Sequence, residues 1–313
     1  MDRLPPALCP VALRASALRA LAAARDSSQQ DGLRLAIDSS GEAAWAGLIV
    51  DDPADPQAAV WVQATPGNTA VVWPPLPAAP AAAALLRAAA EFVDGASIAL
   101  AQIIVANDDG YPSEIFAEAG FPKLANLRYL YADTSARGDR PFLLDRAWMA
   151  PSAPLEFHPH GGADAALQPL IERTYIGSQD CPALDAARTV ADVVAGYRCQ
   201  GEHMPQHWYV VTTKEPQRRH VGVLLLADHP SANNWELVYM GVVPEERGRR
   251  HGESIVRFAL DAAGRAGAQR VVLAVDAANG PALEMYRRAG FSEWDQRTVY
   301  ARLAGSPAPA ART

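Results

Sequence analysis

Four basic side chains crowd one short stretch of the chain: Arg247, Arg249, Arg250 and His251 are interleaved with Gly248 and Gly252. They stand between a β-branched run that ends at Val243-Pro244 and a helical pattern from Gly252 to Ala266. A strand, a basic glycine-containing turn and a helix start together make an anion site. The first N–H groups of a helix have no intrahelical partner and lie at the positive end of its macrodipole, so a phosphate placed there receives several hydrogen bonds at once. A solvated basic helix start, or a nucleic-acid patch, is the plainer reading of the same residues. Other constellations carry less. His158-Pro159-His160 and His203-x-x-x-His207 suggest metal ligation, but Pro205 breaks the helix that would align the second pair, and no metal site is expected. Cys181 follows Asp180, whose charge disfavours a thiolate, so packing is its expected role. No G-x-S-x-G elbow, Walker loop or G-x-G-x-x-G is present.

The elements that must hold the basic turn come from a chain of 313 residues, long for one core and comfortable for two. Half of it is hydrophobic, which is too much for a disordered chain. With 28 Lys and Arg against 35 Asp and Glu, the formal charge of -7 repels nucleic acid and anionic lipid, so an anion must be bound locally. Cys9, Cys181 and Cys199 form no C-x-x-C pair, which fits a reducing, cytoplasmic setting. No apolar run approaches the roughly 18 residues of a membrane span. The run from Val11 to Arg25 reads as an amphipathic helix, with a presequence as the alternative.

Short β-branched runs predict strands at Ala44 to Val50, Ala58 to Ala64, Thr69 to Trp73, Ile98 to Val105 and Leu127 to Tyr131. In the second half they fall at Leu155 to His158, Trp208 to Thr213, Val221 to Leu226, Trp235 to Val243, Gln269 to Val275 and Thr298 to Leu303. Helical patterns lie between them, among them Ala78 to Val93, Ala163 to Tyr175, Leu184 to Arg198 and Gly280 to Ala289. Both halves mix strands and helices, an α+β (mixed α/β) pattern. Residues 1–140 read as one domain, 141–154 as a linker, 155–304 as a second domain and 305–313 as a Pro/Ala-rich disordered tail. Laid on each other at an offset of 170 positions, the halves match without gaps: Gly120-Phe121 falls on Gly290-Phe291, Gly110 on Gly280, Glu114 on Glu284 and Pro74 on Pro244. Helix-on-helix matches are cheap in an Ala-rich chain, but glycines, prolines and acids holding one register over about 50 positions indicate a duplication.

The stretch Val242-Val243-Pro244-Glu245-Glu246-Arg247-Gly248-Arg249-Arg250-His251-Gly252 resembles the signature of the GNAT superfamily of acyl-CoA-dependent N-acyltransferases. In that signature a strand ending V-x-P leads into Arg/Gln-x-x-Gly-x-Gly/Ala at a helix start. Arg250 departs from it, standing where the family has its central glycine. Asn279, Gly280, Tyr286, Gly290 and Phe291 match the second signature, an Asn followed by a helix with a Tyr seven residues on and then Gly-Phe.

The resemblance implies two tandem GNAT-like domains, each a twisted, mixed, mostly antiparallel sheet flanked by helices. It implies acetyl-CoA as co-substrate, with no metal. Met240, Gly241 and Val242 would pair with the pantetheine arm, and the backbone of Gly248, Arg249, Arg250, His251, Gly252 and Glu253 would cradle the pyrophosphate beside Arg247, with Asn279 and Tyr286 completing the site. Tyr286 is the candidate acid for the departing thiolate. Glu236 is the candidate base, where the histone-acetyltransferase branch keeps a glutamate, and period-two alternation puts Glu236, Val238, Met240 and Val242 on one face. An anchoring role for Tyr286, and an exposed acid or a water chain through His203, His207 or Asp180 in place of Glu236, stay open. In the first half the prolines of Pro77 to Ala82 replace the basic turn and Phe116 replaces Tyr286, so that copy reads as degenerate. The expected activity is transfer of an acyl group to a small-molecule or peptide amine by a monomer or homodimer. A non-catalytic acyl-CoA-binding module is the alternative.

Overall fold

The computed structural model describes residues 5–134, 155–160 and 164–307, apart from 24, 26, 80, 113, 185, 186, 215 and 217. The expected linker at 141–154 and most of the expected tail fall outside these residues. The chain forms two compact units, residues 1–124 with 298–313, and residues 125–297.

The first unit contains β1 (Ala7–Leu8), α1 (Arg14–Ala22), α2 (Ser27–Asp38), β2 (Leu48–Val50), β3 (Ala59–Thr65), β4 (Thr69–Trp73), α3 (Ala82–Gly95), β5 (Leu100–Ala106) and α4 (Ile115–Glu118). Strands β1 to β4 pair antiparallel in sequence order, and β4 then pairs parallel with β5. α3 is Ala-rich and carries Leu85, Leu86, Ala89, Ala90 and Val93 at helical spacing, so it buries one stripe against Val60, Val62, Val72 and Ile103. α1 and α2 cover the opposite face through Ala17, Leu21 and Leu33 against Leu48 and Trp61. Sequence periodicity did not predict α2, whose polar start and internal Gly32 weaken its helix signal. The final segment returns to this unit. Arg302, 1% exposed, places two nitrogens on the Asp94 carboxylate at 2.7 Å each and donates to the Gly120 and Pro307 carbonyls.

The second unit is built from β6 (Lys123–Asp133), β7 (Leu155–Pro159), α5 (Asp164–Tyr175), α6 (Val190–Tyr197), β8 (Glu202–Thr213), β9 (His220–His229), β10 (Asn234–Val242), α7 (His251–Arg265), β11 (Arg270–Asp276), α8 (Gly280–Arg288) and the start of β12 (Ser292–Leu303). β6 belongs here because Leu127 to Asp133 pair antiparallel with Asp276 to Arg270. β7 to β10 pair antiparallel in order, and β10 pairs parallel with β11. Helices cover both faces, which is why β9 reads as an unbroken apolar run: Leu224 and Leu226 pack with α7, and Val223 and Leu225 with α5 and α6. Two local expectations change. The predicted helix from Leu184 to Arg198 begins only at Val190, where the Thr189 side chain accepts from the Asp192 N–H at 3.1 Å and caps it. Pro205 interrupts no helix; it lies within β8, where the ladder with β9 shifts between His203 and Trp208. Among the described residues no helix is long and apolar enough to cross a membrane.

Candidate active site

The site begins where β10 leaves its parallel neighbour. Only Asn234 to Glu236 register with Arg270 to Val272, and a bulge between Leu237 and Tyr239 bends β10 away. The bulge also reverses the expected alternation. Val238 and Tyr239 face α5, whereas Met240 and Val242 face the α7 side, so Glu236 and Met240 do not share a face. The divergence opens a cleft of about 230 Å³ that brings together Met240, Gly241 and Val242 on one lip, Ala274 and Val275 on the other, and Tyr286 from α8. Close packing holds the first lip in place. A Cβ on Gly222 would come within 1.9 Å of the Gly241 carbonyl, and one on Gly241 within 2.5 Å of the Thr174 side chain. Only glycine fits at either position.

The basic turn is divided between structural and exposed cations. Arg247 also lines the cleft, but its guanidinium is held by three carbonyls: Nε donates to Val242 at 3.0 Å, Nη1 to Gly177 at 3.0 Å and Nη2 to Thr174 at 2.9 Å. It caps the C-terminal end of α5 and fastens it to the end of β10. Behind the turn, the Glu246 carboxylate is buried among Arg219 Nε at 2.7 Å, His251 Nε2 at 3.2 Å and Arg249 Nη1 at 3.5 Å. Arg249 and Arg250 are exposed. Arg250 occupies the left-handed region at φ 60° and forms the N-cap of α7, so it adopts the backbone of a glycine while carrying a side chain. The first intrahelical hydrogen bond runs from Ser254 N–H to the Arg250 carbonyl at 3.4 Å, which leaves the N–H groups of His251, Gly252 and Glu253 ahead of it. The Glu253 side chain turns inward to Arg288 at 3.0 Å, and Gly252 packs beside Met285.

Asn279 caps α8, its Oδ1 accepting from the Ala282 N–H at 3.3 Å, and it lines the cleft as well. Tyr286 is buried with its ring edge-on to Phe291 at 5.4 Å. Burial, reinforced by the Asp180 charge, pushes its phenol well above the ordinary range, so it keeps its proton at every physiological pH. Asp180 accepts from the Asp276 N–H at 3.2 Å, and Cys181 Sγ lies 3.5 Å from the Asp276 carboxylate. Asp180 opens onto a concave surface while protein surrounds it on most sides. This crowding raises its carboxyl pKa, the Asp276 N–H opposes the rise, and the Asp276 charge adds to it.

A larger cavity of about 470 Å³ adjoins the cleft, with Ser178, Asp180 and Tyr239 lining both. Tyr175, Tyr197 and Tyr239 form its aromatic wall. The Tyr175 and Tyr197 hydroxyls are 3.0 Å apart, the Tyr239 hydroxyl lies 2.7 Å from Thr174 Oγ1, and the Tyr197 and Tyr239 rings stack at 5.2 Å. Burial raises the pKa of Tyr197 and of Tyr239, so both stay neutral. Arg188 lines this cavity and not the cleft. Sequence reasoning did not single out Tyr175, Tyr197 or Arg188, because no motif marks them and each reads as an ordinary amphipathic helix or loop position. Glu236 lies outside the lining of both cavities; its Oε2 is 2.7 Å from His229 Nε2, a contact that raises the pKa of His229. Gly248 to Glu253 also lie outside that lining, on the turn and the first turn of α7.

An antiparallel meander, one diverging parallel pair and helices on both faces define a mixed α/β fold with a cleft at the point of divergence. In agreement, residues 179–291 match the acetyltransferase (GNAT) family. A GCN5-related N-acetyltransferase from Sphaerobacter thermophilus shares the fold over 95% of this chain and 93% of its own, with a TM-score of 0.58 at 15% identity. A glucosamine N-acetyltransferase region of a fungal multi-domain GH3 beta-N-acetylglucosaminidase aligns over 87% of this chain and 34% of its own, with a TM-score of 0.52 at 15% identity. In sequence, the chain is 31% identical over 187 residues to a mycothiol acetyltransferase of Pseudarthrobacter chlorophenolicus, covering 59% of this chain and 49% of the relative. It is 30% identical over 101 residues to the mycothiol acetyltransferase of Jonesia denitrificans, covering 32% of each. The chain spans about half the length, or less, of the curated relatives it matches.

Proposed function

We propose that the second unit is an acetyl-CoA-dependent N-acetyltransferase that transfers an acetyl group to a primary amine of a small molecule by direct attack. One observation carries the reading: the cleft at the diverging β10 edge, with a buried neutral phenol in its wall, adjoins a second cavity with which it shares Ser178, Asp180 and Tyr239. The residues present fit acetyl-CoA, since the β10 edge from Met240 to Val242 has no partner in β11 among the described residues and the uncapped first turn of α7 follows it in the chain. Acetyl-CoA supplies a thioester carbonyl and a thiolate leaving group.

Met240, Gly241 and Val242 offer backbone groups along one side of the thioester arm. The N–H groups at the α7 start, aided by the exposed Arg249 and Arg250, receive phosphate. Tyr286, whose phenol is protonated beforehand, gives its proton to the leaving sulfur. Glu236, which lines neither cavity and is hydrogen-bonded to His229, takes up the proton released by the amine only through a water chain, for which Asp180 at the junction of the cavities is the nearer relay. The cavity volume suits a compact acceptor, in keeping with relatives named for a small thiol. Thiol release from acetyl-CoA across a panel of primary amines tests the proposal, with acetylated product identified by mass. Acetyl-CoA binding without thiol release on any amine would leave the unit as a ligand-binding module.

A further inference from the structure

The basic turn is closed from behind by one carboxylate. Glu246 and His251 bracket the four residues from Arg247 to Arg250, of which Gly248 and Arg250 stand in the left-handed region at φ 75° and 60°. Across that bracket Glu246 Oε2 lies 3.2 Å from His251 Nε2, and the two residues are only 4% and 2% exposed. The other carboxylate oxygen accepts from Arg219 Nε at 2.7 Å, just ahead of β9, and Arg249 Nη1 stands 3.5 Å from Oε2. Burial pushes the Glu246 carboxyl pKa up, but the hydrogen bonds from Arg219 and His251 and the nearby guanidinium charges carry it below the ordinary value. The group is therefore a carboxylate, and His251 Nε2 donates to it. His251 Nδ1 is buried without a hydrogen-bond partner among the described residues, so the bond to Glu246 alone orients the imidazole. His251 is also the first residue of α7, and its N–H is one of the three that precede the first intrahelical bond.

A carboxylate behind an anion site has two opposed effects. Its charge repels a phosphate placed on the α7 start and works against acetyl-CoA. Its bonds hold the first turn of α7 and Arg249 in one arrangement before a phosphate arrives, and donors already in place lose less freedom on binding. We infer that Glu246 is a positioning residue for the phosphate groups of acetyl-CoA, acting through His251 and Arg249. This rests on the acetyltransferase reading and adds to it a side chain that lines neither cavity.

Because the two effects differ in sign, Glu246→Gln separates them. Calorimetry of the full chain with CoA gives Kd. Thiol release gives kcat and KM with acetyl-CoA and with S-acetylpantetheine, which carries the same acetyl thioester and no phosphate. Positioning predicts that Glu246→Gln weakens CoA binding by roughly 10-fold, as expected for the loss of one charge-assisted hydrogen bond. It also predicts that kcat at saturating acetyl-CoA, and kcat/KM for S-acetylpantetheine, stay within about twofold of the wild type. His251→Leu keeps the position apolar and buried, should repeat the loss, and stands in if Glu246→Gln fails to fold. The double variant should bind CoA no more weakly than either single one, since both remove the same bond. Unchanged or tighter CoA binding in the folded variants overturns the inference, because the charge would then be all that Glu246 contributes. An equal loss with S-acetylpantetheine overturns it as well, because a side chain that only holds the fold together does not distinguish the two thioesters. CoA binding without thiol release on any amine would sink acetyl transfer and leave the Kd comparison to decide the role of Glu246. A wild type that binds no CoA would sink both.

Discussion

The two units share one strand order and differ where a ligand would enter. β5 and β11 span Leu100–Ala106 and Arg270–Asp276, the same offset of 170 that relates the sequence motifs. In the second unit β10 pairs with β11 over Asn234 to Glu236 and then continues to Val242 paired with β9 only. In the first, β4 pairs with β5 over Thr69 to Val71 and ends at Trp73. The free edge is thus about a third as long in the first unit, and the turn after it is proline-rich. The surroundings differ in charge as well. Arg25 donates to the Pro74 carbonyl at 2.6 Å and Tyr111 to that of Pro75 at 2.9 Å, and the small hollow there is lined by Asp108 and Asp109. A cleft of this type needs both a long unpaired strand edge and an anion-binding helix start; the first unit has a short edge and prolines in place of the basic turn.

The comparison would break outright if acetyl-CoA occupied both units; titration calorimetry should find one site per chain, and two equivalent sites would refute the assignment of the cleft to the second unit alone. Next in size is a reciprocal pair of substitutions. Tyr286→Phe should lower kcat by roughly 10- to 1000-fold with CoA affinity nearly unchanged. Phe116→Tyr, at the matched position, should leave kcat alone but destabilise the first unit by about 1–3 kcal/mol. Phe116 is fully buried against Tyr111 and Tyr300, where a new hydroxyl finds no water. Denaturant melts and steady-state kinetics separate the two effects.

A smaller effect sharpens the role of the turn. Arg250→Gly should stabilise the protein by up to about 1 kcal/mol, because glycine adopts the left-handed region without steric cost, whereas Arg250→Ala keeps the strain. If acetyl-CoA affinity falls in both variants, and less so at high salt, the side chain grips phosphate; equal affinity in all three proteins assigns the phosphate to backbone N–H groups.

The smallest effect concerns His229. Its pKa is raised by the hydrogen bond to Glu236, so the stability it contributes is complete below its unfolded value of about 6.5 and fades as pH rises through the folded value. His229→Gln should therefore cost under about 1 kcal/mol near pH 5.5 and progressively less toward pH 8.5, given the partial exposure of the pair. A pH-independent difference in melting temperature would remove the ionic part of that contact.

The strand, basic turn and helix around Arg247 were legible in the sequence because each is a local feature: a β-branched run, glycines at a turn, a helix start. The use of Arg247 was not, since its partners Thr174 and Gly177 lie about 70 positions away and only tertiary folding brings their carbonyls to it. The bulge at Leu237 was hidden for a related reason. Alternation assumes an unbroken ladder, and nothing in a stretch of apolar residues marks where one extra residue is inserted. The walls of the larger cavity come from α5, α6 and β10 together, which no single window of sequence contains.

The three-carbonyl clasp of Arg247 joins the lip that would hold acetyl-CoA to the helix end from which Tyr175 and Ser178 reach the neighbouring cavity. If β10 shifts when acetyl-CoA binds, this side chain would carry the shift toward the walls of the neighbouring cavity. Coupling of that kind is reciprocal: any factor that acetyl-CoA applied to the acceptor's affinity, the acceptor would return to acetyl-CoA. Arg247→Met should then weaken the coupling without abolishing it, since Ser178, Asp180 and Tyr239 line both cavities.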